Sequence, residues 1–327
     1  IVELDGATAG AGVNGLVLSG GSNGSTIQGL IINNFSNHGI QVNGSSNSTI
    51  VGNFIGTDSS GTLDPGNVTG VFITNGASNN TLGGLTDAAR NIISGNNDDA
   101  VKIEATAGSG NTVVGNYIGL DVSGTSQLGN GGSGIDVQAD GSIIGGTATG
   151  SRNVISDSFY NGVVVSGNNN TIQGNYIGTD VNGTADFGNG RNGIWINGGS
   201  DNLIGGTISD AGNLIYGNGR NGVLVSEGTP TGNAILGNFI SGNDWEGIDL
   251  SLVRDGDGVS ANDGSKPATP NLGMDFPVFT SVVLDGTSLT VGGYVGSAPG
   301  QSAFANARVE FFKSDDDAGG YGQGQTY

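Results

Sequence analysis

One five-residue phrase recurs seven times: GNFIG (52–56), RNIIS (90–94), GNYIG (115–119), RNVIS (152–156), GNYIG (174–178), GNLIY (212–216) and GNFIS (237–241). Each sets an Asn before a short apolar strand: Asn53, Asn91, Asn116, Asn153, Asn175, Asn213 and Asn238. A chain needs the same residue at the same local position turn after turn only if it winds repeatedly past one point. The phrase therefore predicts a solenoid. The Asn is expected at a tight corner in the left-handed backbone conformation, which Asn tolerates better than most residues. Its amides are expected to hydrogen-bond up and down the column, a structural role.

Two further strands flank the phrase in each coil. A first strand follows a Gly, as in GLVLS (15–19), GIQVN (39–43), GVFIT (70–74), GIDVQ (134–138), GVVVS (162–166), GIWIN (193–197), GVLVS (222–226) and GIDLS (247–251), with Ala replacing the Gly in AVKIE (100–104). A second strand is of the TIQ or TIV type, at 26, 49 and 171. Spacing from one first strand to the next runs from 24 to 34 residues. The strands alternate, so Ile194 and Ile196 point inward and Trp195 outward. Helical spacing of apolar residues is not sustained anywhere. The expected architecture is all-β: a parallel β-helix over 1–254, with three strands per coil and about eight full coils stacked ~4.8 Å apart.

Composition agrees and narrows the function. Of 327 residues 66 are Gly, yet no Gly-X-Y period exists and Pro is only 6, which excludes collagen. Nine Lys plus Arg stand against 29 Asp plus Glu, a net charge of −20. A nucleic-acid binder needs a cationic footprint, and no apolar run is long enough to insert in a membrane, so neither partner is expected. Cys is absent, which removes disulfides and thiol chemistry. The opening IVELDG reads as a strand already under way, so the chain is expected to begin inside a coil.

The pattern NTIxGNxIGTDxxGT…GNxxNGVxI resembles the right-handed parallel β-helix repeats of bacterial secreted and cell-surface, adhesin-like proteins, the fold type of pectate lyases and polygalacturonases. The resemblance spans roughly residues 1–255. It implies an extracellular or cell-surface location, and for enzymes of this fold a polysaccharide on the outer face of the first sheet. Here that outward column reads Val17, Gln41, Phe72, Lys102, Asp136, Val164, Trp195, Leu224 and Asp249. The residues just before each first strand give a second column: His38, Thr69, Asp99, Ser133, Asn161, Asn192, Asn221 and Glu246. Polar groups are densest at Asp98, Asp99, Lys102 and Asp136. Paired carboxylates there are candidate general acid and base, with Lys102 and Trp195 as candidate glycan contacts. DDAVKI (98–103) resembles the polygalacturonase strand GDDCIAI, but that family's remaining set is missing. Thr69 stands where an Asp belongs and Ser133 where a His belongs.

Three long loops, 57–67, 120–130 and 179–189, fall on alternate coils, with Asp58, Asp121 and Asp180 equivalent. The expectation for these carboxylates is local turn capping. Past the coils, DGDGVSANDG (255–264) offers Asp255, Asp257, Asn262 and Asp263 as calcium ligands on a flexible loop. Calcium is thus the one ion suggested, and no cofactor is required. Pro267 and Pro270 mark a linker over 255–272, and strand-like runs over 273–327 read as an incomplete immunoglobulin-like segment. The overall expectation is a non-enzymatic, structural or adhesin-like acidic rod, with self-association end to end or a surface glycan as partner. The alternative is a polysaccharide-active hydrolase or lyase, or a calcium-dependent glycan-binding module, on the first-sheet face.

Overall fold

The computed structural model describes residues 2–252, 270–273, 277–301, 309, 313–314 and 324–326. Alternating Ile and Val, with β-branched side chains that suit a pleated surface, form three parallel sheets of nine, nine and eight strands. The chain is a right-handed parallel β-helix. The first sheet runs from Leu16–Ser19 to Ile248–Leu250, the second from Thr26–Gln28 to Ala234–Leu236, the third from Val2–Asp5 to Phe239–Ser241. Every strand pairs with the equivalent strand one coil away.

The core is a set of stacked columns. Ile40, Val71, Val101, Ile135, Val163, Ile194 and Val223 line one inward row of the first sheet; Ile55, Ile93, Ile118, Ile155, Ile177 and Ile215 come from the third sheet. All are fully buried. Parallel sheets need both faces covered, and the long loops cover the outer face of the third. Ile92, Tyr117, Leu120 and Val154 form a separate buried cluster there, packed by Phe54, Tyr176, Val181 and Phe187. The loops stack on one another: Val122 N–H donates to Gly61 O, and Val181 N–H to Gly124 O, both at 3.0 Å. The Asp58 carboxylate accepts from Ser60 Oγ and the N–H groups of Thr62 and Leu63. Asp121 and Asp180 cap their own loops in the same way.

The Asn ladder runs the length of the helix. The Nδ2 of Asn53 donates to Asn91 Oδ1, and so on through Asn116, Asn153, Asn175, Asn213 and Asn238, at 2.9–3.1 Å. Each Oδ1 also accepts the backbone N–H of the preceding rung. The second Nδ2 proton satisfies a second-strand carbonyl, as from Asn91 to Ile50 O and from Asn116 to Leu82 O. The left-handed conformation expected of these Asn residues is not found: none has positive φ. Gly52, Gly115, Gly174 and Gly237, immediately before four of them, take it instead, with φ of 59–72°. The Asn backbone N–H is committed to the next rung of the ladder, and the turn falls on the Gly before it.

Other corners carry ladders that the sequence reading did not separate. Asn67, Asn96 and Asn130 form one, continued by Asn189, Asn218 and Asn243. Ser158 stands between the two halves and donates its N–H to Asn189. Asn80 and Asn111 form another, continued by Asn170, Asn202 and Asn233. Close stacking also accounts for glycine. At Gly83 φ is +92°, and a Cβ there would lie 1.9 Å from Val114 O of the next coil.

Beyond the coils, Pro277–Asp285 and Ser288–Val295 pair as an antiparallel hairpin, and Lys313–Ser314 pairs antiparallel with Gly324–Thr326. The calcium candidates Asp255, Asp257, Asn262 and Asp263 lie outside the described residues. Among the described residues no group of three or more His, Asp or Glu is placed to hold a metal ion, and no helix is long and apolar enough to cross a membrane.

Replacing Asn116 with Ala removes two donors and a shared acceptor from a fully buried corner. The variant is expected to lose about 2–4 kcal/mol of stability, read as a lower guanidinium midpoint by circular dichroism. Asn97→Ala, at an exposed position, should stay within about 0.5 kcal/mol of the parent.

Candidate functional site

The outward column falls in the expected register: Gln41 beside Phe72, Phe72 beside Lys102, Lys102 beside Asp136, Asp136 beside Val164, Val164 beside Trp195. This brings the four polar candidates together. Lys102 Nζ lies 3.0 Å from Asp136 Oδ2 and 3.5 Å from Asp99 Oδ2. Gln138 Nε2 donates to Asp136 at 2.7 Å, and Ser133 N–H donates to Asp99 Oδ1 at 2.8 Å. Asp98 remains exposed at the rim.

Asp99 is only 8% exposed, and that burial is the main reason its carboxyl is pushed up to about 6. The Ser133 N–H works against the rise, the charges of Asp136 and Asp98 add to it, and Lys102 opposes it. For Lys102 burial favours the neutral amine. The carboxylates, Asp136 foremost, outweigh it and raise the ammonium pKa.

Asp99, Asp136 and Trp195 line one groove of about 530 Å³ on the outer face of the first sheet, together with Ser133, Tyr160 and Arg191. Trp195 does not have the exposed face expected of it. It is 6% exposed, packed with Val164 and Leu224, and its Nε1–H donates to Ser226 Oγ at 2.8 Å. A ring enclosed this way fills the groove floor and cannot stack on a sugar. The sole His, His38, stacks on Phe72 with ring centroids 4.3 Å apart, and burial is the main cause of its lowered pKa.

Tyr160 and Arg191 are among the groove residues that sequence reading missed, with Gln138, Ser166 and Asn197. Tyr160 is 40% exposed, and the Arg191 guanidinium carbon lies 4.9 Å from its ring centroid. Both also line an adjoining depression of about 650 Å³ with Phe159 and Arg220. The missed signal was positional. Tyr160, Arg191, Arg220 and Trp245 each stand two residues before the Gly that opens a first strand, one place upstream of the column containing Asp99.

No family model matches the sequence. Among solved structures, the chain is similar to a periplasmic alginate epimerase, AlgG, with a TM-score of 0.51 and 16% identity over 74% of this chain. The match covers 51% of that enzyme, so this chain spans about half its length. It also matches the A-module of the Azotobacter vinelandii mannuronan C-5 epimerase AlgE6, with a TM-score of 0.39 and 17% identity, covering 73% of this chain and 71% of that one. At these identities the likeness to AlgG establishes the fold, a β-helix that polysaccharide-modifying enzymes also use. It overturns the expectation that a regular rod of this kind marks a non-enzymatic protein, because AlgG is an enzyme.

The raised Asp99 pKa makes a stability prediction. An unfolded Asp titrates near ~3.9, so between about pH 4 and pH 6 the folded chain binds more protons than the unfolded one, and stability falls as pH rises through that window. Asp99→Asn abolishes this loss. Its thermal midpoint should match the parent near pH 4 and exceed it above pH 6, by the equivalent of about 1–3 kcal/mol.

Proposed function

We propose that this chain is a polysaccharide-active enzyme, acting outside the cytoplasm, whose site is the groove on the outer face of the first sheet. The observation that carries the reading is the Asp99 carboxyl: buried, held by the Ser133 N–H and pushed up to about 6 beside Lys102. A carboxyl of that pKa is ionised at neutral pH yet far more basic than an ordinary Asp. That suits a general base abstracting a proton from a bound sugar. Tyr160, on the wall of the same groove, is the matching proton donor.

Proton abstraction, as in a lyase-type reaction, is favoured over hydrolysis by the position of Lys102. A glycosidase needs two carboxyl groups facing each other across the scissile bond, one protonated and the other free to attack or to activate water. Here one ammonium binds both Asp99 and Asp136, and Asp136 is further engaged by Gln138. Asp136 then holds Lys102 in place beside Asp99, and the Lys102 ammonium is the group that stabilises negative charge developing on the sugar. The likeness to AlgG supports the fold of this site and leaves the chemistry to the groove residues.

Turnover would be sought on a polysaccharide panel, following unsaturated products by ultraviolet absorbance, reducing ends, and ring-proton inversion by NMR. The parent should show an acidic limb in kcat with an apparent pKa near 6. Asp99→Asn should lower kcat by about 100-fold or more while KM changes little. Full turnover by Asp99→Asn would remove the proposal.

A further inference from the structure

The outer face of the second sheet carries a column of a different kind. Thr26, Thr49, Thr81 and Thr112 stand on four consecutive rungs, Ile143 on the fifth and Thr171 on the sixth, each paired directly with the next. The residue after each, as Leu82 after Thr81, is buried in the core, so these side chains point outward. Among the described residues none hydrogen-bonds to any of the five Thr hydroxyls. One residue earlier in each coil a buried corner fixes the height of the rung. Ser48 N–H donates to Asn80 Oδ1 at 2.9 Å, Asn80 Nδ2 to Asn111 Oδ1 at 3.0 Å, and Ser142 N–H to Asn170 Oδ1 at 2.7 Å.

The hydroxyls therefore repeat at ~4.8 Å along the rod, on side chains that are stiff at χ1. The face is also free of charge. None of the eight strands of this sheet contains Asp, Glu, Lys or Arg, in a chain of net charge −20. The first sheet, by contrast, turns Lys102 and Asp136 outward. A charged group keeps its hydration water and is costly to press against a neutral solid, so an uncharged face complements an uncharged ligand. A second copy of the chain is a poor occupant. Eight rungs of three-residue strands span roughly 40 Å by 10 Å, about half of the ~800 Å² per partner of a stable protein interface. The ligand that fits is neutral, periodic along the rod, and able both to donate to and to accept from each hydroxyl. Ice has these properties. Oxygen rows on its crystal faces repeat at nearly the rung interval, and every oxygen both donates and accepts.

We propose that the outer face of the second sheet binds the surface of ice. The five Thr hydroxyls take the places of lattice oxygens in one row, and the Thr methyl groups lie against the spaces between them. Ile143, 41% exposed, keeps the face neutral but leaves one gap in the row. This function is separate from the groove, which lies on another sheet and shares no residue with the Thr column.

Partition of the full chain into slowly growing ice, together with thermal hysteresis of single crystals, tests the proposal. The parent should be enriched in the ice fraction over an unrelated acidic protein. Thr81→Lys and Thr112→Lys should each lower the ice-bound fraction by about tenfold with unchanged melting curves. Asn97→Lys, at the exposed corner between the other two sheets, should bind like the parent. Ile143→Thr completes six consecutive hydroxyl rungs and should raise the hysteresis above that of the parent. Thr residues that served only as strand formers would give no such gain. Exclusion of the parent from ice, Lys variants that enter ice as the parent does, or an Ile143→Thr variant without any gain would overturn the inference. So would retention on crystalline cellulose without retention on ice.

Discussion

A buried amide at a corner is the constraint on which the rest depends. Each ladder Asn must bring its backbone N–H and its Nδ2 to the Oδ1 of the next rung while its other Nδ2 proton caps a carbonyl. Leaving such a group unpaired in the interior costs about 1–3 kcal/mol, roughly twice what a typical hydrogen bond contributes. Every coil must therefore pass the corner at the same height and in the same register. Because side chains alternate with period two, register at the corner also decides which residues face the core. The Ile and Val columns and the tight glycine corners follow from it.

The same stacking turns unrelated stretches of chain into a surface. Asp99 and Asp136 are 37 residues apart in sequence and neighbours because they sit on adjacent rungs, with Lys102 reaching both. Tyr160, Arg191, Arg220 and Trp245 form a column for the same reason. A solenoid can build a binding surface by choosing one residue per turn, and its length follows the rod.

Most of the scaffold was legible in the chain. The Asn phrase located the third strand of each coil, the Gly and the alternation located the first, and the outward column was read in its true register. Besides the expectation of a non-enzymatic rod, two structural readings failed for identifiable reasons. The ladder Asn was given the left-handed corner on its general tolerance for it, whereas its N–H is committed and the preceding Gly turns. Trp195 was taken as a sugar platform because alternation points it outward, but outward from a sheet is not the same as open to water: Val164 and Leu224 enclose it. The Tyr–Arg column was within reach, since its members share one offset from the opening Gly, yet nothing in the offset alone says that those side chains meet.

What the sequence alone determined is therefore the coil: its strands, its three sheets, its inward columns and the place of Asp98, Asp99, Lys102 and Asp136 on one face. Those follow from local periodicity and from recurrence, which a linear chain displays directly. Only the tertiary structure decided which of these side chains form a site. The groove wall, the burial of Trp195, the pairing of Lys102 with two carboxylates and the raised pKa of Asp99 all depend on neighbours supplied by other turns. Desolvation is set by everything that surrounds a group in space, and no spacing along the chain records it.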